Sequence, residues 1–216
     1  MKEIFKNNIS FLFLYLVYVL VGAFLLAYNT KLDLHLTFNN YHSAFFDAVF
    51  YYATFLGDGF MALLAVIILL TIKYRFALIT AISSVLSAGI TQTLKHTIYD
   101  DVVRPKKFFE GVHDLYLVPG VDNHLYNSFP SGHSTSAFAL FFSLALVTKS
   151  HTLKTILFIV ALLTGYSRIY LSQHFFEDVY AGSLIGLSTT ITVFYIIQKN
   201  RKPWMENSIL KLFKNE

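Results

Sequence analysis

Residues 7–30 read NNISFLFLYLVYVLVGAFLLAYNT, a run of 24 positions without a charged side chain between Lys6 and Lys31. A helix needs about 20 apolar residues to cross the hydrocarbon core of a bilayer. A cleaved signal peptide would have a shorter apolar region followed by a small-residue cleavage site, and this run has neither property. We therefore expect residues 7–30 to contain a first, uncleaved membrane span.

Five further apolar segments follow, separated by short connections and by one long polar stretch, residues 96–130, which holds three of the four prolines. The second segment is interrupted by Asp58 within Leu56-Gly57-Asp58-Gly59. Membrane helices must share buried faces to satisfy groups that lipid cannot. The sequence therefore predicts an all-α, integral-membrane six-helix bundle that forms a single domain over residues 1–216. The predicted spans are residues 9–28, 50–72, 76–95, 132–148, 153–170 and 178–198.

The composition supports a membrane location. Hydrophobic residues make up 55% of the chain and charged residues 14%, whereas a soluble domain usually carries about 25% charge. The 22 Phe and 14 Tyr residues argue against disorder, which requires few aromatics. The absence of Cys excludes disulfide frameworks, thiol nucleophiles and Cys-ligated metal sites. The net charge of +4 is not gathered into a local basic cluster, so no nucleic-acid partner is expected.

The positions of the basic residues predict the orientation, because positively charged loops stay in the cytoplasm. With the N-terminus inside, eleven of the 17 Lys and Arg residues fall on the cytoplasmic side and six on the other. We expect both termini to lie in the cytoplasm, in a multi-pass protein of the plasma (inner) membrane. The segments 96–130 and 168–177 would then lie together at the periplasmic or extracellular face.

Two segments outside the spans have an interfacial character. Residues 31–49 mix apolar side chains with His and charged residues, which indicates a helix or loop at the membrane interface. Residues 203–216 suit either an amphipathic surface helix or a frayed tail. The apolar residues of this tail are Trp204, Ile209, Leu210 and Phe213, and they alternate with Lys211 and Lys214.

Three polar clusters fall at the ends of spans on the predicted outer side. Each has an ordinary structural explanation, because a Lys at a helix end is often an interfacial anchor and a Ser-Gly turn is often an N-cap. A His–Asp pair is likewise often a structural hydrogen bond. Their common location at one membrane face favours a shared function. The clusters are Lys95 with Arg104-Pro105, Pro130-Ser131-Gly132-His133, and Ser167-Arg168 with His174 and Asp178.

His174 and Asp178 stand four residues apart, so on a helix they share one face and can form a hydrogen bond. A carboxylate on one ring nitrogen fixes the imidazole tautomer and makes the other nitrogen a better nucleophile or base. This pair is therefore a candidate nucleophile with its orienting carboxylate.

The remaining residues of the clusters suit a phosphate group. The helix that begins at Ser131-Gly132 offers free backbone N–H groups, which attract anions. Guanidinium groups can bind phosphoryl oxygens bidentately as charge develops in the transition state. His133 remains as a candidate acid for the leaving oxygen. The cationic side chains that would complete the site are Lys95, Arg104 and Arg168.

With these motifs the sequence resembles the membrane branch of the type-2 phosphatidic acid phosphatase family, whose fold is shared with vanadium-dependent haloperoxidases. The third motif, Ser167-Arg168, five residues, His174, three residues, Asp178, fits without a gap. The second motif, residues 130–133, fits as well. The first motif departs from the family pattern, because eight residues separate Lys95 from Arg104 where the family usually has six.

The longer first motif makes a prediction about the local structure. A nine-residue step at about 100° per residue reaches the opposite face of a helix, so the helix should end between Lys95 and Arg104. Arg104 precedes Pro105 and is biased towards an extended backbone, from which it can fold back to the site. Asp100 and Asp101 are interpreted as residues that cap or solvate this loop, or that repel substrates with extra phosphates.

The resemblance implies roles for the site residues. His174 would attack phosphorus and become a phosphohistidine while Asp178 holds its other ring nitrogen. His133 would protonate the departing oxygen and later activate water. No metal and no cofactor are implied, since cationic side chains supply the positive charge. The residues implied to hold the phosphoryl oxygens are Lys95, Arg104, Ser131, Gly132 and Arg168.

Several other polar residues have less specific interpretations. A carboxylate near the end of a span is costly unless it is paired or hydrated, so Asp58 is expected to cap a helix or to orient a cation of the site. Lys106 and Lys107 would solvate their loop or contact an anionic headgroup. Four other histidines lack a partner at a useful spacing and are interpreted as loop or interfacial residues, namely His96, His113, His124 and His151.

The expected function is hydrolysis of a lipid phosphate or diphosphate at the outer leaflet, with the bilayer supplying the substrate. Undecaprenyl diphosphate and lipid A phosphate are the narrower candidates, and phosphatidylglycerol phosphate and phosphatidic acid remain open. One alternative is a non-catalytic lipid-binding or transport protein, which would have little need for His133, His174 and Asp178. The other is a vanadate-dependent haloperoxidase, against which six apolar spans count.

Overall fold

The computed structural model describes residues 6–212, and this part of the chain folds into helices without a strand. Short 3-10 turns cover Thr54–Gly57 and Pro203–Glu206. In chain order the helices are α1 (Ile9–Tyr28), α2 (Lys31–Asn39), α3 (Ala44–Ala53), α4 (Gly59–Ile72), α5 (Tyr74–Thr97), α6 (Pro105–Phe108), α7 (Gly132–Ala145), α8 (His151–Tyr170), α9 (Phe176–Lys199) and α10 (Ile209–Leu212).

Within the described residues, four helices are long and apolar enough to cross a membrane, namely α1, α5, α8 and α9. A fifth candidate is a bent pair, Ala44–Gly57 with Gly59–Ile72, whose two parts meet at 58°. The predicted span 50–72 is therefore not one straight helix. The break falls at Asp58, whose backbone is extended, because the glycines on either side favour the helix least among residues other than proline.

Helix α7 replaces the longer predicted span 132–148. Its 14 residues extend about 21 Å, less than the roughly 30 Å of a bilayer core. Most of its side chains are buried, because α5, α8 and α9 all pack against it. This central position distinguishes α7 from α1, most of whose residues are not buried by the rest of the bundle.

Two glycines on α9 allow that helix to approach α7 closely. A Cβ atom at Gly182 would lie 2.5 Å from the carbonyl oxygen of Ser131, and one at Gly186 would collide with the carbonyl oxygen of Thr135. Small residues four positions apart are a common means of close helix packing in membranes. The contact fixes the start of α9 against the start of α7, which are two of the elements that carry the predicted site.

Helix α2 covers the loop between α8 and α9. Nε2 of His35 lies 3.3 Å from Oγ of Ser172, and the Asn39 amide donates to the same hydroxyl at 3.0 Å. At the other end of α2, Lys31 forms an ion pair of 2.6 Å with Glu177 at the start of α9. The interfacial segment 31–49 is thus helical at α2 and again from Ala44 onwards, and it holds the connection that contains His174.

The tail after α9 lies against the beginning of α5. Glu206 forms ion pairs with Lys73, Arg75 and Arg201 at 2.8–3.2 Å. Instead of one amphipathic helix, the described part of the tail contains a 3-10 turn and the short helix α10. Phe213 and Lys214, which belonged to the predicted surface helix, lie outside the described residues.

Candidate active site

The predicted site residues converge on one end of the bundle, which we call the site end. It is formed by the C-terminal ends of α5 and α8 and the N-terminal ends of α4, α7 and α9. Most of these side chains are buried. The structure brings all the residues of the three motifs to this end: Lys95 on α5, Arg104 before α6, Ser131, Gly132 and His133 at the start of α7, Arg168 on α8, His174 in the following loop and Asp178 on α9.

His174 and Asp178 form the buried pair that their spacing predicted. Nδ1 of His174 lies 3.2 Å from Oδ2 of Asp178. The same carboxylate oxygen accepts hydrogen bonds from the backbone N–H of Phe175 at 2.9 Å and from the hydroxyl of Ser128 at 2.5 Å. A carboxylate held by two further donors cannot rotate freely, so it fixes the orientation of the imidazole.

The surroundings of His174 favour its neutral form. Burial, and then the positive charges of Arg104 and Arg168, hold the pKa of His174 well below its usual range. With the proton on Nδ1 directed towards Asp178, the lone pair of Nε2 is available. A neutral imidazole with one free nitrogen is the form that acts as a nucleophile.

Two of the cations are held by backbone carbonyls rather than by carboxylates. Lys95 donates to the carbonyl of Asn127 at 2.8 Å. Arg104 donates through Nε to the carbonyl of Tyr126 at 2.9 Å and through a terminal nitrogen to that of Gln173 at 3.2 Å. Carbonyl groups orient these side chains without neutralising them, so their charge remains available to an anion.

The first motif has the geometry that its unusual length predicted. Helix α5 ends at Thr97, a turn follows over 98–101, and Arg104 has an extended backbone with φ −86° and ψ 165°. The predicted end of the helix between Lys95 and Arg104 is confirmed. Asp100 and Asp101 are exposed on the turn. Burial lowers the pKa of Arg104 from its usual value, and the charge of Asp178 opposes this shift.

Arg168 approaches the site from α8. One terminal nitrogen donates to the hydroxyl of Thr54 in the 3-10 turn. Its Nε is buried and has no hydrogen-bond partner within residues 6–212. A buried guanidinium that has an unsatisfied N–H is suited to an anion that completes its hydrogen bonds.

The start of α7 connects the second motif to the third. Ser131 is the N-cap of α7, and its own backbone N–H donates to the carbonyl of Asp178 at 2.9 Å. A Cβ atom at Gly132 would meet no atom within 4 Å, so packing does not require a glycine there. The first N–H groups of a helix have no partner inside the helix. Gly132 therefore leaves open space in front of donors that can bind an anion.

His133 is paired with Asp58, the residue for which the sequence left two roles open. Nε2 of His133 lies 2.8 Å from Oδ1 of Asp58. Their side chains are 31% and 40% exposed, in contrast to the fully buried pair of His174 and Asp178. Asp58 thus contacts a group of the site, and water or a leaving group can reach His133.

Sequence reasoning did not identify Ser128, Asn127 or Thr54. Ser128 lies two residues before Pro130 and reaches the buried carboxylate only through the fold. Asn127 has a φ of 56°, a left-handed conformation that Asn tolerates better than most residues, and its carbonyl accepts from Lys95. No spacing rule connects these residues to the motifs, although an Asn-Ser pair before a motif is a typical turn signal.

Several other polar residues lie away from the pair of His174 and Asp178. His113 and His124 are exposed and lie outside the helices, which agrees with their interpretation as loop or interfacial residues, whereas His96 is exposed in the last turn of α5. Lys107 pairs with Glu110 at 2.5 Å, and Lys106 is exposed in the same segment. Nδ1 of His151 lies 2.7 Å from the hydroxyl of Ser10, at the end of the bundle opposite the site.

Comparison with known proteins supports the motif resemblance. Residues 74–202 match the sequence model of the PAP2 superfamily, and this range contains all three motifs. The crystal structure of LpxE from Aquifex aeolicus is similar, with a TM-score of 0.68 and 29% identity over 76% of this chain and 94% of that one. No match is found among curated protein sequences.

A second solved structure shares the fold. The first transmembrane PAP2 type phosphatidylglycerolphosphate phosphatase from Bacillus subtilis has a TM-score of 0.56 and 21% identity, over 92% of this chain and 98% of that one. Together with the apolar helices, these comparisons make the chain a multi-pass membrane protein. Because the family match covers more than half of the chain, the chain belongs to the PAP2 superfamily, as its motifs predicted, and is a phosphatase of that family.

Proposed function

We propose that the protein is an integral-membrane lipid phosphatase that removes a phosphate or diphosphate headgroup through a phosphohistidine on His174. The observation that carries the proposal is the position of the His174 imidazole 3.2 Å from a fixed carboxylate, beside cations that no carboxylate of the described residues pairs with. This combination provides a nucleophile and a binding site for the oxyanions of phosphoryl transfer.

In the first step, Nε2 of His174 attacks phosphorus and a P–N bond forms. The P–O bond to the lipid, or to the bridging oxygen of a diphosphate, breaks at the same time. The leaving oxygen takes a proton from the imidazolium of His133. Asp58, whose Oδ1 lies 2.8 Å from Nε2 of His133, would stabilise this imidazolium against the burial and the neighbouring cations that oppose it.

In the second step, His133, now neutral, takes a proton from water while that water attacks phosphorus. The P–N bond breaks and inorganic phosphate is released, which returns His174 and His133 to their starting states. Throughout, Lys95, Arg104 and Arg168 bind the equatorial oxygens together with the N–H groups at Ser131-Gly132. Such preorganised donors are commonly the largest contribution to a phosphoryl-transfer rate.

The location of the site favours a lipid substrate. Its residues lie at the ends of apolar helices. In a bilayer these ends would meet the headgroups, so the tail of the substrate could remain among the lipids. LpxE is a lipid A phosphatase, and its 29% identity to this chain favours lipid A phosphate within a broad lipid phosphatase activity. Undecaprenyl diphosphate is the second narrow candidate.

We further propose a single domain with six spans, in which the bent pair and α7 complete the set of α1, α5, α8 and α9. Helix α7 alone is too short to span, so its flanking residues up to 148 would complete the crossing inside the bundle. The basic residues favour cytoplasmic termini and a site end that faces the periplasm or the exterior of the plasma (inner) membrane. The natural chain has no Cys, so single cysteines can report the orientation. An impermeant maleimide should label Lys106→Cys in intact cells and Lys202→Cys only after lysis; the reverse pattern would overturn the topology.

Trapping of the covalent intermediate tests the mechanism. The purified protein is mixed with a ³²P-labelled lipid phosphate, and the reaction is stopped in alkali, in which phosphohistidine survives. We expect label on the wild-type protein, no label on His174→Asn, and slower formation and slower loss of label on His133→Asn, because His133 acts in both steps. His124→Asn, an exposed histidine, serves as the matched control. Label on folded His174→Asn would refute the assignment of the nucleophile.

A panel of lipid phosphates tests the reaction class. The candidates are lipid A phosphate, undecaprenyl diphosphate, phosphatidylglycerol phosphate and phosphatidic acid, each in mixed micelles, with release of inorganic phosphate as the readout. Turnover of at least one member is expected. Binding of the panel without release would establish the non-catalytic alternative, and vanadate-dependent halide oxidation would establish the peroxidase.

A further inference from the structure

A cavity of about 860 Å³ lies at the end of the bundle opposite the site end. It opens between the segment before α1, the N-terminal ends of α5 and α8, and the C-terminal ends of α4, α7 and α9. None of the residues that bind or react in the proposed mechanism lines it. The cavity is therefore separate from the candidate active site, at the other face of the membrane.

The cavity is strongly cationic. No Asp or Glu occurs among its lining residues within the described chain. Two of its cations are balanced, because Lys73 and Arg75 form ion pairs with Glu206. The others form no ion pair within residues 6–212, and they are Lys6, Lys149, Lys154 and Lys199.

Lys154 is the most unusual of these residues because only 2% of it is exposed. Its ammonium donates to the carbonyl of Asn7 and has no carboxylate partner in the part of the chain described. A buried charge without a countercharge is costly. A simple structural connection between α8 and the segment before α1 would not require a charged group, whereas an anion in the cavity would compensate this one.

An apolar groove of about 390 Å³ continues from the cavity along the outside of α4, α7 and α8. The two spaces share Ile72, Val147 and Thr148. Apolar side chains such as Ile68 and Leu144 line the rest of the groove. A cationic cavity that continues into an apolar groove matches a phosphate headgroup with an attached chain. Inorganic phosphate would satisfy only the cavity.

We propose that this cavity binds the phosphate headgroup of an anionic phospholipid, with an acyl chain of the same lipid in the groove between α4, α7 and α8. Basic pockets between membrane helices are a known means of binding anionic headgroups. The chemistry recognised is a phosphate with a negative charge next to a hydrocarbon chain. Binding here is independent of turnover at His174, since the two sites lie at opposite ends of the bundle.

Lipid binding to the delipidated full-length protein in detergent tests this site. Native mass spectrometry would measure the dissociation constants of phosphatidylglycerol and of phosphatidylcholine. Phosphatidylglycerol is a phosphodiester, so loss of phosphatase activity would not alter the result. We expect one phosphatidylglycerol to bind tightly and phosphatidylcholine to bind at least tenfold more weakly. Equal affinities would overturn the proposal.

Substitution of two exposed lysines of the cavity tests the headgroup site without disturbing the core. Each lysine near a headgroup contributes about 1 kcal/mol, so Lys149→Gln with Lys199→Gln should weaken phosphatidylglycerol binding about thirtyfold. The matched control is Lys202→Gln with Lys211→Gln, which removes the same charge at the same end outside the cavity. It should change affinity less than twofold. An equal loss of phosphatidylglycerol affinity in both double variants would overturn the proposed headgroup site.

A second pair of variants distinguishes the lipid from free phosphate. Ile68 lines the groove and Ile67 does not, although their exposed fractions are 52% and 54%. Ile68→Trp should fill the groove and weaken phosphatidylglycerol binding at least fivefold, whereas Ile67→Trp should leave it unchanged. Sodium phosphate at about a 10-fold molar excess over the lipid should not displace the lipid. Displacement, together with no effect of Ile68→Trp, would identify free phosphate as the occupant and refute the lipid.

Discussion

Oδ1 of Asp58 lies 2.8 Å from Nε2 of His133, and this contact joins the break before α4 to the first turn of α7. The break itself makes the contact possible. A Cβ atom at Gly57 would lie 2.8 Å from the carbonyl oxygen of His133, so only a glycine allows the chain to pass so close. The interruption of the second apolar segment therefore places a carboxylate on the candidate general acid.

Replacement of Asp58 by Asn should reduce catalysis in a manner that depends on the leaving group. The amide removes the charge that stabilises the imidazolium of His133, and general-acid catalysis typically contributes a factor of 10² to 10⁴. We expect kcat for a lipid alkyl phosphate to fall at least about tenfold. Hydrolysis of p-nitrophenyl phosphate should change little, because its leaving group needs no proton. Steady-state kinetics with both substrates measure the difference.

Asp101→Asn is the control for Asp58→Asn. Asp101 is an exposed carboxylate at the same end of the bundle, and it has no contact with His133. Asp101→Asn should leave kcat unchanged for both substrates. If Asp58→Asn slowed both substrates equally, Asp58 would support the local fold and would not position the acid.

Replacement of Ser128 by Ala should slow formation of the phosphohistidine. The hydroxyl donates to Oδ2 of Asp178 at 2.5 Å, and a hydrogen bond to a charged group contributes about 1.5–3 kcal/mol. Without it the carboxylate can turn away from His174. We expect the burst of ³²P-labelled protein to form about tenfold more slowly, with little change in KM. Rapid-quench measurements provide the rate.

Ser143→Ala is the matched control for Ser128→Ala, because it removes the hydroxyl of a serine away from the site. Ser143 is also buried, but its hydroxyl donates to the carbonyl of Ala139 within α7. It should keep the wild-type burst rate. An equal loss of thermal stability in both variants with no difference in burst rate would contradict the role of Ser128.

The contacts that Ser128 and His174 make with Asp178 differ in how far the sequence predicts them. His174 lies in the loop just before α9 and Asp178 in the first turn of that helix, so their contact is local and follows from a four-residue spacing, although His174 is not itself helical as the spacing argument assumed. The end of α5 between Lys95 and Arg104 also follows from local geometry, since the proline restricts the residue before it. Ser128 approaches Asp178 across 50 residues, and only tertiary packing brings them together.

For the helices, too, some features follow from the local sequence and others depend on tertiary packing. Hydropathy identifies α1, α5, α8 and α9, because each is continuous and apolar over at least 18 residues. It does not reveal that α7 is short and central, since a helix surrounded by other helices is as apolar as one in lipid. The small residues Gly182 and Gly186 indicate the packing of α7 only after their partner is known.

Replacement of Gly186 by Ala should destabilise the bundle although Ala favours helices. The new Cβ would collide with the carbonyl oxygen of Thr135, and overpacking of this kind costs about 1–3 kcal/mol. The thermal unfolding midpoint in detergent should fall. Gly89→Ala is the control, because a Cβ at Gly89 on α5 would meet no atom within 4 Å. That variant should be unchanged or more stable by about 0.5–1 kcal/mol. A lower midpoint for both variants would contradict the close approach of α9.

His35 on α2 lies outside the proposed membrane spans and is buried. Its ring packs against Phe175 with centroids 5.2 Å apart and against Phe109 at 5.6 Å. Burial, and then the charge of Lys31, lower the pKa of His35 to about 4. The folded protein therefore holds a neutral imidazole over the loop that contains His174.

A depressed pKa in the folded state makes stability fall with acid. The unfolded chain takes up a proton on His35 near pH 6.5. The contribution of neutral His35 to the free energy of unfolding is therefore complete above that pH, and it is lost as the pH falls towards about 4. The full loss is about 3 kcal/mol. His35→Gln should therefore flatten the decline of the unfolding midpoint between pH 6.5 and 4.5. The part of this decline that comes from buried His174 should remain. His124→Gln, at an exposed position, should keep the wild-type slope. An unchanged slope in His35→Gln would show that folding does not lower the pKa of His35.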